Sequence, residues 1–305
     1  MTDNGKEELL SSQGATETPV FGMLLAVLGY STLPFMNALI KYLTLQGYPT
    51  LQVMFFNGAV AFSCVFGWLF LKKGLAKVKI ANPFLGLYVL VSLGGCFALF
   101  YAFGTGKLAE VGAIVAVSPL FIALLSHFFL RERLSLLQIG LILFGFLGVM
   151  LVLKPRPELT EYGVVCIALL GTFLFASSQV LVRKLRGVVP TLAFTFYFYL
   201  GLLVIAGLTM PYRVVALADA PFFLLSGLCD VISLVLLYSA FRHAPAPVVA
   251  PFQYGALLWN ALLGYFIWHE NLSIWTVMGA AVIIGAGILF MRSSLKLPDS
   301  RDPEQ

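Results

Sequence analysis

A few polar side chains stand inside long apolar stretches of this 305-residue chain, and their types limit the chemistry open to them. Asp230 lies ten residues into the run Ala220–Phe241, about 15 Å deep at 1.5 Å per residue. A carboxylic acid at that depth either carries a coupling proton, binds a cationic group, or is protonated and bonded to a neighbouring helix. Gln253 and Asn260 are seven apart, hence on one helical face, with Leu257 between them and Tyr254 and Trp259 flanking. Amides beside aromatic rings suit a polar organic solute, or hydrogen bonds to another helix. Asn37 and Lys41 are four apart, and Asn57 falls at similar height in the next run. Together they read as a polar vestibule, with snorkelling to the headgroups as the alternative for Lys41. Gln179 with Ser177 and Ser178 is a weaker candidate, and His127 reads as a packing residue. Glu132 and Glu270 read as residues that end helices and pin loops.

These residues make no catalytic constellation. The sequence holds no HExxH, no GxSxG and no pair of intramembrane aspartates. The fragment GTGK, Gly104 to Lys107, lacks the spacing of a phosphate loop, and Leu108 stands where Ser or Thr should be. Cys64, Cys96, Cys166 and Cys229 sit in apolar runs without CxxC spacing, so no metal site or disulfide framework is implied. No cofactor and no enzymatic reaction are expected.

The elements that must position these side chains follow from composition. Sixty per cent hydrophobic residues, 11% charged and a mean hydropathy of +0.95 leave too little polar surface to coat a globule in water. Soluble domains carry roughly 25% charged residues. The net charge of +5 is spread between apolar runs, as for loops facing anionic lipid, and no basic helix points to nucleic acid.

Ten runs are long enough to cross a bilayer, which takes about 20 apolar residues. They are Val20–Ile40, Leu51–Leu71, Phe84–Gly104, Val111–Leu130, Leu134–Leu153, Tyr162–Val182, Thr191–Met210, Ala220–Phe241, Val248–Trp268 and Leu272–Met291. With the N-terminus inside, cytoplasmic segments hold fourteen Lys and Arg against five on the other side. Both termini are therefore expected in the cytoplasm. The tail 1–19 lacks a basic start before a short apolar core, so it reads as disordered and the first run as a retained span.

Ser126–Leu153 and Gly264–Met291 are alike at an offset of 138: Phe128 meets Phe266, Glu132 meets Glu270 and Ser135 meets Ser273. Each half then has five spans, an odd number, so the second copy enters the membrane upside down. Inverted repeats let one fold present a site to either side in turn, which points to a transporter. The expected organisation is a tail (1–19), a first repeat (20–153), a linker (154–160, with Pro155 and Pro157), a second repeat (161–291) and a cytoplasmic tail (292–305).

The stretch APAPVVAPFQYGALLWNALLGYFIWHENLS, Ala244 to Ser273, and its companion EVGAIVAVSPLFIALLSHFFLRERLS, Glu110 to Ser135, resemble the drug/metabolite transporter superfamily, specifically its EamA-type ten-helix members. The resemblance covers residues 20 to 291. It implies an all-α integral membrane protein of ten transmembrane helices, in two inverted five-helix repeats around a central cavity. It also implies secondary transport of a small organic solute, with uptake of a riboflavin-like or nucleoside-like metabolite such as S-adenosylmethionine expected first. Export of amino acids or drugs is the alternative. Relatives of this type often carry Asp where this chain has Asn37 and Arg where it has Asn57, so two charges are missing here. The expected substrate-binding residues are Asn37, Lys41, Asn57, Gln253, Tyr254, Trp259 and Asn260, with Asp230 coupling protons. The expected partners are solute, membrane lipid and protons, in a monomer or homodimer of the cell inner membrane.

Overall fold

The computed structural model describes residues 19–72, 82–130, 135–152, 159–185, 189–243, 252–271 and 273–295. The N-terminal tail to residue 18, most of the linker 154–160, Glu132, Pro245, Pro247, Pro251, the tail beyond residue 295 and much of the basic loop sequence lie outside them.

Among the described residues the chain forms eleven helices and no strand. The first five are α1 (Pro19–Leu45), α2 (Thr50–Leu71), α3 (Pro83–Thr105), α4 (Leu108–Val115) and α5 (Ser118–Leu130). They are followed by α6 (Leu136–Val152), α7 (Leu159–Lys184), α8 (Thr191–Thr209), α9 (Ala220–His243), α10 (Gln253–Trp268) and α11 (Ile274–Leu295). Six stretches are long and apolar enough to cross a membrane: α1, α2, α3, the continuous span of α4 and α5, and most of α7 and α9. With α4 and α5 as one span, the helices make ten, in two repeats of five.

Why helices follow from the sequence is simple. In hydrocarbon every backbone N–H and C=O must find a partner inside its own segment, so an apolar run of this length is helical. Ends are set by Pro and Gly. Asn82 caps α3 by accepting the Phe84 N–H at 2.9 Å, with Pro83 at the first helical position. Pro119 lacks the N–H that would continue the ladder, and the fourth span breaks at Ala116–Val117.

The packing has an internal two-fold. Helix α1 packs on α9 as α7 packs on α3, and α1 on α10 as α7 on α5. On the pseudo-axis itself α2 meets α8 and α6 meets α11. Small residues allow the closest approaches: a Cβ added at Gly148 would lie 2.8 Å from the Gly279 carbonyl. At the α3–α7 seam, one added at Gly95 would lie 3.1 Å from the Phe175 nitrogen. Large apolar side chains such as Leu71, Leu136 and Leu208 point outward on all sides, a surface matched to lipid. Helix α4 is buried from Leu108 to Ile114, with Leu108, Val111 and Ile114 in the largest apolar cluster.

Candidate functional site

The linkers after α1, α3, α8 and α10 gather at one end of the bundle, here the Lys41 end. Four residues before the end of α1, Lys41 is buried against the second repeat. Its ammonium forms an ion pair with Glu270 and donates to the Gly106 carbonyl at 2.6 Å. The Trp268 ring lies 5.4 Å from the same nitrogen. The other carboxylate oxygen, Oε2 of Glu270, accepts the Leu108 N–H at 3.0 Å, the first of α4. That N–H has no partner inside its helix, and the helix dipole favours an anion there.

Local sequence makes this arrangement fit. His269 adopts the left-handed conformation (φ 53°) that ends α10, and Glu270 N–H returns to the Gly264 carbonyl at 3.1 Å. The Glu270 carboxylate then occupies the space a side chain at Gly264 would need. Gly104 is equally required, since a Cβ there would lie 2.6 Å from Thr44 Oγ1. Only a shallow recess lies beside Glu270 among the described residues, lined by Lys107, Glu110, Asn271, Ser273 and Thr276. The Lys41 end is closed here.

Polar contacts between the repeats continue inward from the ion pair. Asn37 is one turn deeper than Lys41, and its amide donates to Asn260 Oδ1 at 3.2 Å. Both sit eight residues from the Lys41 end of their helices, about 12 Å along the axis. Gly112 of α4 closes this pair from the side: a Cβ there would lie 3.0 Å from Asn260 Nδ2. Deeper still, Gln253 Nε2 donates to Ser118 Oγ at 3.3 Å, at the break between α4 and α5. Tyr254 is buried against Gly287, and its hydroxyl has no partner among the described residues. A polar line thus runs down the seam between α1, α4 and α10, joining the two repeats at each level.

Asp230 lies apart from that line. Its Oδ2 accepts from the Tyr199 hydroxyl at 2.9 Å, a bond that joins α9 to α8. Asn57 is also separate. It is 1% exposed, Nδ2 is without a partner among the described residues, and the α9 backbone at Gly227 closes on it. Trp259 stands on the outer face, 38% exposed, tilted against Phe35 at 5.8 Å. Of the residues singled out in the sequence, the structure therefore brings Asn37, Lys41, Asn260, Gln253 and Tyr254 to one seam. It leaves Asp230, Asn57 and Trp259 elsewhere. Lys41 is not snorkelling, and Glu270 pins a loop, as its position suggested, while also neutralising Lys41.

A second tie at the same end was not foreseen. Gln52 grips the α8–α9 linker, donating to the Arg213 carbonyl at 2.6 Å and accepting its N–H at 3.0 Å. Arg213 in turn donates to the Gln46 carbonyl at 2.6 Å and covers the Tyr48 ring at 5.1 Å. Tyr48 donates to Asp219 at 2.8 Å. The sequence signal was slight: Gln52 is a single amide at the start of an apolar run.

With the geometry described, comparison with known proteins decides the family. The EamA-like transporter family matches residues 18–154 and again residues 163–292. The chain belongs to the EamA-like transporter family. Its two matches correspond to the two packed repeats, and the EamA fold is thus a duplicated five-helix unit. The chain is 29% identical to the pseudopaline exporter of Pseudomonas aeruginosa, over 89% of this chain and 96% of that one. It is 27% identical to the riboflavin transporter of Rhizobium johnstonii, over 91% and 93%. A third relative, the S-adenosylmethionine uptake transporter of Rickettsia bellii, is 26% identical over 73% and 77%. A solved crystal structure shares the fold at a TM-score of 0.63 and 18% identity, over 91% of this chain and 98% of that one. This EamA protein is accordingly a multi-pass membrane transporter of small solutes.

Proposed function

We propose that this EamA protein takes up a riboflavin-like or nucleoside-like metabolite, such as S-adenosylmethionine, across the cytoplasmic membrane by alternating access. The observation that carries this is the polar line between α1 and α10. It joins one helix of each repeat and is stopped at the Lys41 end by an ion pair. Asn37, Lys41, Gln253, Tyr254 and Asn260 line the path, and the Lys41 end faces outward, with both termini inside, as the distribution of basic residues favours. Residues 20–153 and 161–291 rock as units. The amides and hydroxyls along the path suit the ring nitrogens and polar substituents of such a heterocycle, which they hydrogen-bond in place of water. Asp230 couples the cycle to protons, its carboxyl exchanging the Tyr199 hydroxyl for a proton as α8 and α9 shift. No chemistry on the solute is involved.

Export is the second reading, favoured because the relative at 29% identity is an exporter. Counterflow in proteoliposomes with labelled riboflavin, S-adenosylmethionine and several amino acids tests both. Accumulation of one solute, competed by its unlabelled form, is the expected result. In Asp230→Asn, uptake driven by a proton gradient is expected to fall by on the order of tenfold while solute exchange persists. Gradient-driven uptake at the wild-type rate in that variant would remove Asp230 from the coupling step.

A further inference from the structure

We propose that Lys41 and the first N–H of α4 form a carboxylate-binding cradle for the transported solute, which Glu270 occupies while the Lys41 end is closed. The inference rests on the reading of the chain as a solute transporter and narrows the solute to one bearing a free carboxylate.

Glu270 displays the chemistry the cradle selects. One carboxylate oxygen meets the Lys41 ammonium, and the other accepts the Leu108 N–H at 3.0 Å. A carboxylate is thereby held by a cation and a helix N-terminus together, with the Trp268 ring covering the cation. The cradle's donors and its occupant belong to different repeats. Lys41 and Leu108 are on α1 and α4 of the first, whereas Glu270 is carried on the linker between α10 and α11 of the second. Any opening between the repeats at this end withdraws Glu270 and leaves Lys41 and the α4 N–H facing the opened path.

A buried ammonium that loses its anion is strongly destabilised. The neighbouring groups do not replace the anion: the Gly106 carbonyl is neutral, Glu110 lies 3.8 Å from Lys107, and Asp219 at the same end accepts from Tyr48. A solute carboxylate does replace it, with the same two donors. Closure then returns Glu270 to the cradle and displaces the solute toward Asn37 and Asn260, the next polar level of the seam. Opening is favoured when a carboxylate is there to take the vacated position, which links gating to the solute. Among the solutes named above, S-adenosylmethionine and amino acids carry the group and riboflavin does not.

Chemical rescue by acetate tests the cradle without requiring the natural solute. Thermal unfolding of the purified full chain is measured for wild type, Glu270→Gln and the double variant Lys41→Gln/Glu270→Gln, in sodium acetate and in sodium chloride at equal ionic strength. Glu270→Gln is expected to unfold at a lower temperature in chloride and to regain at least half of that loss, saturably, in acetate. Wild type and the double variant are expected to show no preference between the salts. Equal rescue by chloride, no rescue, or rescue that persists in the double variant would each overturn the proposal. If Glu270→Gln can be purified only in acetate, that is the rescue. If it is recovered in neither salt while the double variant is recovered in both, the cradle refuses an external carboxylate and the idea fails. Counterflow then separates the two readings. Lys41→Gln is expected to raise KM for S-adenosylmethionine at least fivefold with little change for riboflavin, and an unchanged KM would refute the cradle's role toward solute. A lack of flux for every solute counts against the transport assignment, and the acetate measurement alone then decides the cradle.

Discussion

Asn37 and Asn260 are each nearly inaccessible, and each offers more hydrogen-bonding groups than the single 3.2 Å bond between them uses. Two facing amides at membrane depth either lock two helices together or receive a solute, and a double substitution separates these roles. Asn260→Leu alone strands the Asn37 amide in an apolar seam, at a cost of about 1–3 kcal/mol. Replacing both with Leu leaves no orphan, so thermal stability is expected to return to within about 1 kcal/mol of wild type. Counterflow is nevertheless expected to fall to background in the double variant, because the path loses its second polar level. A double variant that is stable and still transports would make the pair a packing device only. The same logic explains Lys41. A lysine buried among apolar residues is tolerable because Glu270, the Gly106 carbonyl and the Trp268 ring surround its charge.

At the scale of helices, α6 and α11 cross where Gly148 lies against Gly279, with backbone meeting backbone. Gly148→Ala would bring a methyl to 2.8 Å from both the Gly279 carbonyl and Ile283 Cγ1, and is expected to cost about 1–3 kcal/mol in thermal unfolding. Gly140, two turns earlier on the same helix, has nothing within 4 Å of an added Cβ. Gly140→Ala is therefore expected to be neutral or to stabilise by up to about 1 kcal/mol. If the two variants melt alike, the crossing is looser than described. Nothing in the spacing of these two glycines separates them, because the matched repeats locate helices but not the faces that touch. The helices themselves were legible for a firm reason: in lipid an uncharged run of some 20 residues has almost no alternative to a spanning helix. Their ends were read within a few residues at most positions. The exceptions are instructive. The first helix continues past Ile40 to Leu45 because Lys41 is neutralised by a distant residue rather than by headgroups. The fourth span was read as one run from Val111, yet it starts at Leu108 and breaks before Ser118. Pro119 was the available signal, but a proline in a membrane helix does not by itself distinguish a kink from a break. The polar residues were visible one by one. Their partners, Glu270 for Lys41 and Tyr199 for Asp230, lie 229 and 31 positions away and follow only from how the repeats pack.

For the molecule as a whole, the proposed alternating access turns on the two ties at the Lys41 end. Both join one repeat to the other: the ion pair through α1 and the α10–α11 linker, and the Gln52 grip through α2 and the α8–α9 linker. Alternating access requires both to break together, so each adds its own share to the stability of the closed state. Gln52→Leu removes the grip and leaves the Arg213 N–H and carbonyl unpaired, a loss of about 1–3 kcal/mol from the closed state. A shift of 1.4 kcal/mol changes the ratio of closed to open molecules about tenfold, which is enough to see directly. Spin labels on Leu217 and Asn271, both exposed on the two linkers of the second repeat, would report this poorly, because the linkers move together. A label on Leu217 with one on Leu45, exposed at the end of α1, spans the repeats instead. The distance distribution between them is expected to be dominated by a short population in wild type, with weight moving to a longer one in Gln52→Leu. An unmoved distribution in a folded variant would mean that the Gln52 grip does not govern opening, leaving the Lys41–Glu270 pair as the element that holds this end shut.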